Sequence, residues 1–197
     1  MKKAILTLIA FVAAASLSLS AQTVLGTYNT AYDGIDYTVE LGPKNSSGNY
    51  EYLVSVLSDD PYIPKVKLVI KNTQLDAFLN AVKAAKQEYK KKLRGSRRSS
   101  DTTAEELGVS FPRMTATFLY NGWHTGNAYL TPEFKSEHGM KLLVLKGDEV
   151  ITDYVDCDGF RLVFSSENEI DSFIKLFDAR RAEEIFEEDA RWRTIFN

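Results

Sequence analysis

The side chains in this 197-residue sequence that could do chemistry are two histidines, one cysteine and a group of acids near the C-terminal third. His124 lies beside a hairpin turn, and His138 sits in the polar run Ser136-Glu137-His138-Gly139. Paired with Cys157, either imidazole could serve as the base of a thiol nucleophile. Nothing in the sequence orients a histidine toward that thiol or lowers its pKa. Asp153, Asp156 and Asp158 precede Gly159, faintly like a calcium loop. Such a loop needs acids at alternate positions and a distal bidentate Glu. Tyr154-Val155 and Cys157 interrupt that spacing, so the segment reads as a turn with exposed acids. No His-Glu-x-x-His helix, Cys-x-x-Cys pair, Gly-x-Ser-x-Gly elbow or phosphate-binding glycine loop occurs. No catalytic residue, metal ligand or cofactor is therefore assigned. A hydrolase working through Asp153, Asp156 or His124 stands as an alternative.

Aromatic residues carry the stronger signal. Tyr28, Tyr32, Tyr37, Tyr50, Tyr52 and Tyr62 crowd the first half, while Tyr120, Trp123 and Tyr129 gather in one later segment. Strand faces recruit aromatics for packing. Tyr and Trp also make amphipathic platforms for ligands. Those nearest turns, Tyr32, Tyr120 and Trp123, are the candidate ligand-binding residues. A basic stretch runs from Lys83 through Lys92 to Arg98 with Glu88 among it. It could dock an anionic partner, but a helix end also favours positive charge, and that reading is preferred.

These residues need a scaffold. Ile35 to Leu41 alternates apolar and polar residues without a break, as a half-buried strand does. Tyr50 to Ser58 and Lys65 to Lys71 read as further strands, with Asp33-Gly34 as a tight turn before the first. Leu75, Phe78, Leu79, Val82 and Tyr89 form one helical stripe reaching about Lys92. Asn121-Gly122 predicts a two-residue hairpin loop. That register pairs Tyr120 with Trp123, Phe118 with Thr125 and Met114 with Tyr129, and puts His124 on the opposite face. Lys141 to Leu145 and Glu149 to Val155 predict a hairpin about Gly147-Asp148. Ser166 and Glu169 predict a capping box opening one long helix to Phe196.

The chain also appears twice over. Tyr32-Asp33-Gly34 matches Tyr120-Asn121-Gly122, Val66 to Ile70 matches Phe160 to Phe164, and Leu75 to Leu79 matches Ile170 to Ile174. The expected fold is α+β: two tandem antiparallel β-meander-plus-helix repeats, roughly four strands and a helix each, packed as one pseudo-symmetric body. The expected organisation is a signal peptide over 1–21, a first repeat over 22–93, a flexible basic linker over 94–108, and a second repeat over 109–197 with an extended C-terminal helix.

Lys2 and Lys3, the apolar run Ala4 to Ala15 and the small residues Ser16 to Ala21 read as an export signal cleaved after Ala21. The run is too short for a transmembrane span. No Cys follows it, so a lipoprotein is not expected. The expected location is the periplasm or exterior of a Gram-negative bacterium. The whole chain has a formal charge of −3, and losing Lys2 and Lys3 makes it more acidic. Acidity and export both argue against a nucleic-acid partner. One cysteine allows no internal disulfide. The expected function is an exported non-catalytic binding or interaction module for a glycan, peptide or envelope protein. A structural protein forming homodimers through its final helix is the other alternative.

Overall fold

The computed structural model describes residues 23–32, 34–95 and 103–196, with side chains as far as 191. The segment expected as a signal peptide, Asp33, residues 96–102 of the expected linker and the side chains of Trp192 and Phe196 lie outside the described residues. The fold is α+β, built on one large antiparallel sheet. Its strands are β1 (Thr23–Asn29), β2 (Asp36–Leu41), β3 (Glu51–Ser58), β4 (Lys65–Lys71), β5 (Thr103–Glu106), β6 (Met114–Leu119), β7 (Trp123–Ala128), β8 (Leu130–Glu137), β9 (Met140–Gly147) and β10 (Phe160–Phe164). The helices are α1 (Leu75–Gly95), α2 (Glu167–Lys175) and α3 (Ala179–Phe196). Among the described residues, no helix is long and apolar enough to cross a membrane.

Strand order is β5-β8-β9-β10-β3-β4-β6-β7, with β2 also on β3 and β1 on β2. Only Tyr129 separates β7 from β8, and burial alternates straight through it, with Ala128 and Leu130 inward and Tyr129 outward. The last strand of the path thus runs on into the second, and the sheet curls back on itself. Strong tilt and closure go together in such sheets. The enclosed side takes the apolar face of α1, with Phe78, Val82, Ala85 and Tyr89 buried among strand residues.

β3 is the junction. One edge pairs with β4 from Glu51 to Leu57. The other is shared: Tyr52 to Val54 pair with β2, and Leu57 and Ser58 pair with β10. Where β2 and β10 part, the amide of Val163 has no ladder partner on β3. It donates instead to the buried Tyr37 hydroxyl at 3.1 Å. Tyr37 stacks on Tyr28, which meets Phe164 and Phe173. Tyr50 and Tyr52 are buried too. Most first-half tyrosines are therefore core.

Each half does contain a meander followed by a helix, but the halves join unequally. β4 pairs with β6, whereas β10 pairs with β3 rather than with β1. A two-fold relation would require β10 beside β1, so the sheet pairing carries no such symmetry.

Several local expectations change. The β6–β7 loop has three residues, because Leu119 pairs with Trp123 and Phe118 with His124. Asn121 takes a left-handed φ of 52° to make that turn. This register points Gly126 inward, where a Cβ would lie 2.5 Å from the Ile151 carbonyl oxygen. Slipping by one residue would put a side chain there and expel Ala128 from the core. The partner of β9 is β8, not 149–155. Both turn residues between β8 and β9, His138 and Gly139, have positive φ, as a tight hairpin turn needs. Pro132 and Ser136 fill inward positions of β8 and mask its alternation. Within the segment expected as linker, Thr103–Glu106 forms β5 on the edge of β8. All four residues are exposed, so β5 has no apolar period to read. The final helix is broken at Leu176–Asp178, where Asp178 accepts from the amides of Arg180 and Arg181 and starts α3 as its cap. Ser166 does cap α2, accepting from the Glu169 amide at 3.3 Å. The Glu169 carboxylate turns instead to Ser165 and to the Ala31 amide.

Candidate functional site

The three candidate anchors do not converge. Tyr32 lies in the β1–β2 turn and packs over Leu142, Val144 and Val163 on the outer face of β9 and β10. Its hydroxyl donates to Glu137 Oε2 at 2.6 Å. That bond, followed by Lys135, holds the Glu137 carboxyl below the usual range. Tyr120 sits at the tip of the β6–β7 hairpin, half exposed. Trp123 begins β7, points to the outer face and is 64% exposed.

Trp123 walls a groove of about 300 Å³ on the outer face of β3, β4, β6 and β7. Its register makes rows across the strands. Glu40, Leu53, Val69, Thr115 and Asn127 form one row, and Ser55, Lys67, Thr117 and Thr125 form the next. Leu53 and Val69 are buried and form an apolar floor. Gly42 and Pro43 close the far side. Thr125 donates to Thr117 Oγ1 at 3.2 Å, and Thr117 donates to the His124 carbonyl at 2.9 Å. Both hydroxyl protons are thus spent, and the pair turns oxygen lone pairs to the groove. Lys67 brings an ammonium held by Glu40 at 2.6 Å. The groove combines a flat aromatic wall, a short apolar floor, hydroxyl acceptors, the Lys67–Glu40 pair and Glu51.

The other candidate chemistry is tied into the fold. Cys157 is fully buried, and its Sγ lies 3.1 Å from Ser58 Oγ. Burial raises its pKa, as do the nearby carboxylates Asp60, Asp158 and Asp59, against a lowering by Ser58. A raised pKa is the opposite of what a nucleophilic thiolate needs. The His124 ring stacks on Phe118, its Nε2 lies 2.9 Å from the Tyr120 carbonyl, and its edge neighbour is Tyr154. Asp156 accepts from the Thr152 amide at 2.9 Å. His138 stands in the β8–β9 turn. Among the described residues, no three His, Cys, Asp or Glu side chains come together as a metal site.

The lysines of α1 form bridges. Lys86 binds Asp171 at 2.7 Å, Lys90 binds Glu167 at 3.0 Å, and Lys92 binds Glu105. They fasten α1 to α2 and to β5, which the dipole argument does not foresee. A second, more open cleft of about 570 Å³ lies between α1, the start of β9 and the start of α2. Several of its polar groups are tied up within the fold: the Tyr89 hydroxyl donates to the Lys141 and Ser165 carbonyls, and Lys141 Nζ to Ser136 Oγ. Burial pushes the Tyr89 phenol up to about 12, with Glu169 and Glu167 adding to it. The groove beside Trp123 is therefore the better-formed site.

No family model matches this chain, and no curated protein or solved structure shows significant similarity to it. The sequence nominates Trp123 and gives no motif-level reason to nominate the threonines and Lys67 that line the same groove. The available signal was Thr115 and Thr117 alternating with apolar residues along β6, opposite Thr125.

Proposed function

We propose that this is an exported, non-catalytic binding protein that lays a glycan chain along the groove walled by Trp123. The observation that carries this reading is a mostly exposed tryptophan on the same sheet face as the hydrogen-bonded Thr117–Thr125 pair and lining one groove with it. A pyranose has an apolar C–H face and equatorial hydroxyls. The first suits the indole face, which is large, flat and amphipathic. The second suit oxygen acceptors on Thr117 and Thr125 and the donors of Lys67. Pockets that fix a ligand commonly combine apolar walls with a few placed polar groups. The shifted carboxylates, Glu137 and Glu169, each accept structural hydrogen bonds and face no groove residue in those bonds. That distribution favours binding over hydrolysis.

Calorimetric titration of the mature protein with neutral oligosaccharides tests the proposal. Trp123→Ala should weaken binding at least about tenfold, which is about 1.4 kcal/mol. Thr117→Val, which keeps shape and removes the hydroxyl, should weaken it less. Melting temperatures should stay near that of the parent because Trp123 is exposed. Unaltered binding in Trp123→Ala, or collapse of the fold, would sink the proposal.

A further inference from the structure

The turns β3–β4, β6–β7 and β9–β10 emerge at one end of the curled sheet. The Asp59 amide donates to the Gly159 carbonyl at 3.0 Å, joining the first to the third. Tyr154 reaches the His124 ring, and the Ile151 carbonyl packs over Gly126, joining the third to the second. The β9–β10 loop is anchored by its own two ends. Val150 and Cys157 exchange backbone hydrogen bonds of 2.9 and 3.1 Å and are both fully buried. Thr152 accepts from the Tyr154 and Val155 amides and donates to the Val155 carbonyl, shaping the tip.

This fixed loop holds apolar side chains out toward solvent. Tyr154 is 90% exposed and Ile151 66%, and Tyr62 in the β3–β4 turn is 81% exposed. Leu119, opposite Trp123 at the end of β6, is exposed where this end meets the outer face. Folding gains nothing from presenting four such groups on one end, and clustered exposed apolar surface marks an interaction site. The same end is acidic. Asp148, Glu149, Asp153 and Asp158 are exposed around it, with Asp60 partly so. The cations there are Lys65, Lys146 and Arg161, and Arg161 is paired with Asp59. The acids are dispersed and do not converge as a metal site. A dispersed negative field around aromatic and aliphatic groups complements an extended chain of positive charges, not a point ion.

We propose that this end of the sheet docks a cationic polypeptide segment, whose lysine or arginine heads face the acidic rim and whose stems lie on Tyr62, Leu119, Ile151 and Tyr154. Arginine and lysine can also sit over the two exposed phenol rings. The two sites use different groups and meet only at Leu119, the β6 partner of Trp123.

The test is fluorescence anisotropy of the mature protein with a labelled short peptide of lysine and leucine, and with its glutamate counterpart. The lysine peptide should bind, and its affinity should fall steeply as salt rises, because rim charges are screened. Tyr154→Ser should weaken it about fivefold or more, and Glu149→Lys with Asp153→Lys about tenfold or more, by replacing attraction with repulsion. Each site is exposed, so thermal melts should be unchanged. Equal binding of the glutamate peptide would overturn the proposal, as would parent-like binding by both variants. Sedimentation decides a further case: self-association abolished by Tyr154→Ser would make a second copy of the chain the occupant and refute a cationic partner. Preferential binding to anionic lipid vesicles would refute it as well.

Discussion

Replacing Tyr32 separates a ligand anchor from a structural strut. The ring covers Leu142, Val144 and Val163 on the outside of the sheet and is itself only half buried. Full burial of a large side chain contributes about 1.5–3 kcal/mol, so about half of that applies to the ring. The hydroxyl donates at 2.6 Å to Glu137, and a hydrogen bond to a charged group contributes about 1.5–3 kcal/mol. Because Tyr32 is only half buried, Tyr32→Phe should cost the lower part of that range, about 1.5–2 kcal/mol, and Tyr32→Ala, which also loses the ring's share, about 2–4. For a domain of this size each kcal/mol lowers the melting temperature by about 2–4 °C. Tyr32→Phe should therefore melt a few degrees low, and Tyr32→Ala about 5–15 °C low. Acid supplies a second readout. The Glu137 carboxyl is held below its usual range in the fold. Its stabilising contribution is thus complete above the ordinary carboxylate pKa and is lost as pH falls through the depressed value. The gap between parent and Tyr32→Phe should shrink over that acidic window and stay constant above it. Calorimetric melts across pH measure both effects. A Tyr32→Ala protein melting within about 1–2 °C of the parent would refute the strut, and a gap indifferent to pH would refute the role given to Glu137.

Gly126→Ala should cost about 1–3 kcal/mol, because its Cβ would meet the Ile151 carbonyl oxygen at 2.5 Å and Val150 Cγ1 at 2.8 Å, and backbone yields poorly. The same change should lift the β9–β10 loop, so Cys157, buried in the parent and expected to resist thiol reagents there, should label in the variant without global unfolding. Mass spectrometry under native conditions reads this, and equal protection in both proteins would contradict the packing. Glu169→Gln should cost about 2–3 kcal/mol near neutrality, since the carboxylate accepts from Ala31 and twice from Ser165 and an amide cannot replace all three. Burial alone would raise this carboxyl, but Tyr28, Ser165 and Ala31 outweigh it and hold it low. The Tyr28 hydroxyl faces it from outside hydrogen-bond geometry, so the backbone and serine donors carry most of that effect. The penalty should fade as acid protonates Glu169, and chemical denaturation at two pH values would show a constant penalty if the assignment were wrong.

What could be read from the sequence depended on patterns kept within a few neighbouring residues. β2, β3 and β4 were legible because one face meets the core and the other water, giving a period of two. The α1 stripe and the Ser166 cap were legible for the same local reason. β5 was not, since an edge strand exposed on both sides has no alternation. β8 was hidden because Pro132 and Ser136 occupy positions an apolar residue normally marks. The segment matches between the two halves did not extend to equivalent strand pairing, because β4 meets β6 while β10 meets β3.

For the candidate site, composition nominated Trp123 and its neighbours by type, and no motif competed with them. Only the tertiary structure decided which face Trp123 takes. That choice depends on a one-residue difference in hairpin register, and a distant contact settles it: the loop carrying Ile151 fits against Gly126 only when the glycine points inward. Likewise Tyr32 became a strut because β9, far along the chain, offers it an apolar patch and Glu137. Local sequence determines which faces of a segment prefer water or the core, because periodicity acts over a few residues. Which face meets which partner is decided by contacts between segments far apart in the chain, and only the closed sheet supplies those.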